Sequence, residues 1–71
     1  MSNKLVAKRL LPGMRVILNG AEHEVQSVFP GERLIKVITT IEFSGMTRYI
    51  STTLDNHSDV TVLFPKKLSD V

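Results

Sequence analysis

The chain has 71 residues, no cysteine, 42% hydrophobic residues, and nine Lys and Arg against seven Asp and Glu, for a formal net charge of +2. This length holds one domain over residues 1–71, and the apolar fraction excludes global disorder. Without cysteine, neither a disulfide nor a Cys-based zinc site can support the fold, so stability rests on the core of a domain too small to bury more than about 60% of its unfolded surface.

The first residues carry charge but no apolar run resembling a signal peptide, and no stretch reaches the roughly 18 to 20 apolar residues that cross a bilayer. A cytoplasmic location is the expectation, and the compact size suits a bacterial or phage accessory protein. Leu5, Val6, Leu10 and Leu11 line either a short helix capped by Ser2 or a first strand. A lone helix of about ten residues is marginal. The strand reading, paired with the end of the chain, is therefore favoured. Flexible ends are expected at about 1–3 and 66–71.

Leu11-Pro12-Gly13-Met14 predicts a type II turn, with proline presetting φ and glycine supplying the positive φ that follows. Phe29-Pro30-Gly31-Glu32 repeats that chemistry. Between them, residues 15–18 and 21–29 are β-formers joined by Asn19-Gly20, the strongest short hairpin signal in the chain. Over residues 34–43, Ile35, Val37, Thr39, Ile41 and Phe43 share one face of a strand, and Lys36, Ile38, Thr40 and Glu42 share the other. Ser44-Gly45 is a second two-residue turn, leading into a Thr- and Tyr-rich strand over 47–54. Residues 55–59 form a polar connection, expected as a single 3₁₀ turn, before a last strand that Pro65 ends. The phenylalanines Phe29, Phe43 and Phe64 read as core.

Short strands with turn signals between them, and no helical period, define an all-β domain. A flat sheet of this size leaves a face and two edges uncovered. Closure into a small five- to six-stranded SH3-like barrel is the expectation. An OB-fold needs a helix for which Ser44-Gly45 leaves no room.

Residues 10–25, with the Pro12-Gly13-Met14 turn, an apolar strand, the Asn19-Gly20 hairpin and Val25, resemble the opening of the N-terminal KOW-like, SH3-like domain of elongation factor P. Pro30-Gly31 falls where that family carries a Pro-Gly loop, and the likeness covers about 10–54. The resemblance implies the fold and an association with RNA or ribosomes, as in translation or transcription. It does not imply the factor's activity. The family's loop is longer and glycine-rich with a basic tip, whereas Pro30-Gly31-Glu32-Arg33 is short and carries an acid.

No catalytic signature is present, so the chain is read as not an enzyme and without cofactor. His23 points away from Glu22 and Glu24 in a strand, which keeps the three out of one site. His57 lies between Asp55 and Asp59, but that spacing lacks the loop of a calcium site, and turn formation explains it. No Gly-x-Ser-x-Gly elbow or phosphate-binding glycine pattern occurs.

Two surfaces remain. Ile17, Leu34 and Ile38 fall opposite the assigned core faces and make an apolar surface suited to an unidentified protein partner or to a homodimer. This is the leading expectation: a non-enzymatic binding module acting as adaptor or regulator. The alternative is a nucleic-acid-binding module. Lys4, Lys8, Arg9, Lys66 and Lys67 would gather if the first and last strands pair, and Lys36, Arg48 and Tyr49 would add phosphate contacts and a stacking ring. No membrane contact is expected.

Overall fold

A computed structural model describes residues 2–63 of the chain. The β-forming segments become six strands, β1 (Ser2–Val6), β2 (Arg15–Leu18), β3 (Ala21–Pro30), β4 (Leu34–Phe43), β5 (Met46–Asp55) and β6 (Asp59–Leu63), with one 3₁₀ turn at Ala7–Arg9. They form one antiparallel sheet in the order β1-β6-β2-β3-β4-β5. The domain is therefore all-β. No helix among the described residues is long and apolar enough to cross a membrane.

The sheet does not close into a barrel. The expected pairing of first and last strands is present, with Leu5 opposite Val60. However, β6 is already bonded to β2 on its other side, with Val62 opposite Val16. That leaves β1 at one edge and β5 at the other, with no ladder between them. The residues after β1 bond instead to the β5–β6 turn. Beyond β1 the Ala7 N–H donates to the Ser58 carbonyl at 2.8 Å, and the Lys8 N–H to the Asn56 carbonyl at 3.1 Å. The 3₁₀ turn thus belongs to Ala7–Arg9 rather than to residues 55–59. There a tight turn forms instead, with the Ser58 N–H donating to the Asp55 carbonyl at 3.0 Å.

The turn chemistry mostly holds. Asn19 and Gly20 have φ of 51° and 79°, the paired positive values of a type I′ hairpin, and Ser44-Gly45 repeats them. The Met14 N–H donates to the Leu11 carbonyl at 3.2 Å, closing the Pro12-Gly13 turn. Pro30-Gly31 is different from the type II turn expected there. Strand β3 runs through Pro30, opposite Ile35, and the Gly31 N–H meets the Leu34 carbonyl at 2.9 Å. A Cβ on Gly31 would stand 2.7 Å from that carbonyl oxygen, so close approach, not positive φ, calls for glycine.

The core lies on the inner face of the curled sheet. Val16, Leu18, Val25, Ile35, Val37, Val60 and Val62 are buried there, with Ala7 and Leu10 closing one end. Leu5, Met14, Val28 and Leu54 pack against them. On β4 the expected inner face holds for Ile35, Val37 and Thr39, but Phe43 is 65% exposed. The β3–β4 ladder stops at Glu24 opposite Thr40. Past that point β4 and β5 continue as a two-stranded arm, and Phe43 and Met46 face each other across it without cover.

Candidate functional site

Phe29 is the second misread phenylalanine, and it defines the site. Alternation from His23 and Val25 would turn Phe29 inward. A β-bulge between Val25 and Ser27 inserts one residue and reverses the parity, so Val28 packs inward and Phe29 points out, 54% exposed. There it lies opposite Lys36, whose Nζ sits 5.8 Å from the ring centroid. Leu34, Lys36 and Ile38 alternate along the same outer face of β4, with Leu34 52% exposed and Ile38 half-buried. Successive members stand about 7 Å apart along the strand. Ser27 and Ser51 flank Ile38, while Thr53 flanks Lys36. The result is an apolar patch of Phe29, Leu34 and Ile38 around one cation. Phe64 lies outside the described residues.

Ile17 shares the outer side but not the patch. It pairs with Glu22 on β3 and Thr61 on β6. The outward residues of β3 between it and β4 begin with Glu22 and Glu24. The three expected contact residues are therefore split, with Leu34 and Ile38 together and Ile17 apart.

The expected cationic residues are also dispersed. Lys4 is on edge strand β1, and Lys8 and Arg9 are exposed on the 3₁₀ turn. Lys36 is on the outer face of β4. Arg48 pairs with Ile41 and so lies on the opposite face from Lys36 and Tyr49. Tyr49 is 72% exposed and pairs with Thr40. It borders a shallow hollow of about 450 Å³ whose other walls include Arg15, Glu22, Glu24, Thr40 and Glu42. Arg15 is held there by Glu22 at 2.6 Å. The hollow is thus lined by three carboxylates and one paired cation. Lys66 and Lys67 lie outside the described residues.

Both histidines have structural settings. His23 is buried on the inner face, and a 2.7 Å hydrogen bond joins its Nδ1 to Thr39 Oγ1. The His57 N–H donates to Asp55 Oδ1 at 2.9 Å, a side-chain turn that fixes the β5–β6 connection. Next to it, Asn56 is a residue the sequence reading missed. It is buried, and its Nδ2 donates to the carbonyls of Gly31 and Glu32, each at 3.1 Å. Its own N–H donates to the Arg33 carbonyl at 2.9 Å. Asn56 therefore clamps the β3–β4 loop beneath Leu34. Nothing local in an Asp-Asn-His-Ser turn signals a partner some 25 residues away. Comparison of the chain with protein-family models, curated proteins and solved structures finds no match.

Proposed function

We propose that this chain is a non-enzymatic binding module that docks a protein segment of apolar character on the outer face of β4. The observation that carries this is the solvent-facing set of Phe29, Leu34 and Ile38 around Lys36, two of whose members are more than half exposed. Exposed single apolar residues are ordinary, whereas several on one rigid strand pair, set by a bulge, form a contact surface. Lys36 over Phe29 adds a polar anchor for a carboxylate or carbonyl of the partner. The patch sits on the longest ladders of the sheet. Strands β2 to β5 form a meander, β6 returns beside β2, and β1 is added outside.

The nucleic-acid alternative draws on the resemblance of residues 10–54 to elongation factor P. The distribution of charge favours the protein reading over it. Tyr49, the expected stacking ring, borders Glu24 and Glu42, whose charge repels phosphate.

Selection of a random peptide library against the chain tests the proposal. Apolar peptides should be recovered, and Leu34→Lys and Ile38→Lys should each weaken them at least about tenfold, the scale of burying one large apolar side chain. Far-UV circular dichroism should stay unchanged. Peptides that bind both variants as tightly as the parent chain would overturn it.

A further inference from the structure

Strand β5 is a ten-residue edge with no partner on its outer side among the described residues. Natural edges are blunted by shortness, by charge (lysine above all, or a charge on the inner face), by proline or by a bulge. The opposite edge, β1, is five residues long and carries Lys4. Strand β5 has no proline or lysine, its one inner-face charge is Arg48 near its start, and its register with β4 runs unbroken from Met46 opposite Phe43 to Asp55 opposite Leu34. Its centre, Tyr49-Ile50-Ser51-Thr52-Thr53-Leu54, has four strongly β-forming residues, Tyr49, Ile50, Thr52 and Thr53.

A two-fold axis between antiparallel edges must stand perpendicular to the sheet, because only that axis keeps inner faces on one side. Residues that meet across it then share the same face, which restricts the allowed registers to alternate ones. With the axis at Thr52, Ile50 of each copy meets Leu54 of the other on the inner side. On the outer side, Ser51 meets Thr53, and Tyr49 meets Asp55. Ile50 and Leu54 are half-buried at the core's margin, and Ser51 and Thr53 are exposed. The register also keeps like charges apart. Arg48 and Asp55 are the only charged residues of β5. In this register Arg48 falls opposite Asn56 of the other copy on the inner side and Asp55 opposite Tyr49 on the outer side, so no like charges meet.

We infer that β5 is a self-pairing edge, and that two copies of this chain join through it into one continuous sheet of twice the strand number. This deepens, and rests on, the binding reading above. The axis leaves both Phe29–Leu34–Ile38 patches on the same outer face. Between the two β4 strands lie only the two β5 strands, so the patches are about 14 Å apart. The dimer would offer an apolar partner two sites side by side.

Sedimentation of the full chain across a concentration series tests the pairing, with charge swaps at exposed outer positions. The parent chain should shift from one copy to two as concentration rises. The double variant Ser51→Lys/Thr53→Lys, and the matching Ser51→Glu/Thr53→Glu, should each stay single, and an equal mixture of the two should recover the two-copy species. In this cysteine-free chain, Thr52→Cys should oxidise to a covalent dimer across the axis. A parent chain that stays single at every concentration overturns the pairing while leaving peptide docking on β4 intact. A two-copy species that survives both charge variants but is lost in Ile38→Lys also overturns it, and assigns self-association to the β4 face. Open-ended larger species would overturn the closed pair in favour of β5 meeting β1 of the next copy.

Discussion

His23 and Thr39 meet on the inner face of the sheet, where both are buried. A buried polar group costs far more when its partner is removed than when both are replaced by apolar groups of similar shape. Thr39→Val should therefore lower the unfolding free energy by about 1–3 kcal/mol, measured by urea denaturation, because it leaves His23 Nδ1 unpaired. Adding His23→Leu to that variant should recover part of the loss. A double variant less stable than Thr39→Val alone would show that the histidine stabilises by packing rather than by its bond. At this scale the sequence was informative only about orientation. Alternation placed His23 away from its glutamates, but its partner lies 16 positions along the chain, and no local pattern names it.

Elements show where local chemistry governs and where it yields. Asn19-Gly20 and Ser44-Gly45 form the expected hairpins, because the type I′ turn depends on backbone φ alone and both residues of each pair adopt it. The bulge after Val25 had no comparable mark, since an extra residue in a strand is fixed by its neighbour's register. That single residue decides whether Phe29 faces the core or the solvent. The Pro30-Gly31 loop was misread for the same kind of reason. It is held from outside, by Asn56 in the β5–β6 turn and by the approach of Gly31 to Leu34. Gly31→Ala should cost about 1–3 kcal/mol through the forced shift of that carbonyl, and Asn56→Ala a similar amount through two lost hydrogen bonds. Because both act on one loop, urea unfolding of the double variant should show less than the sum. Full additivity would mean that the two residues support the loop independently.

For the whole molecule, the polar connection and paired termini anticipated a ring, and the chain stops short of one. Strand β6 uses both its edges on β1 and β2, so β1 and β5 remain edges, and Ala7 and Lys8 bond only to the β5–β6 turn. An open sheet keeps the free edge that a barrel would have removed. It also lets the β4–β5 arm project with Phe43 and Met46 uncovered. The candidate site was half legible. Period-two alternation put Leu34 and Ile38 outward, but it grouped Ile17 with them because sheet order is not written in any one strand. The cations were grouped for the same reason, although the register separates Arg48 from Lys36. An isotope-labelled chain titrated with a selected apolar peptide and, separately, with a single-stranded oligonucleotide decides most directly between the two surfaces. The account predicts that the peptide moves the amide signals of Phe29, Leu34, Lys36 and Ile38 at low and high salt alike. Shifts confined to Lys4, Lys8 and Arg9, produced by the oligonucleotide and erased by salt, with β4 unmoved by the peptide, would contradict it.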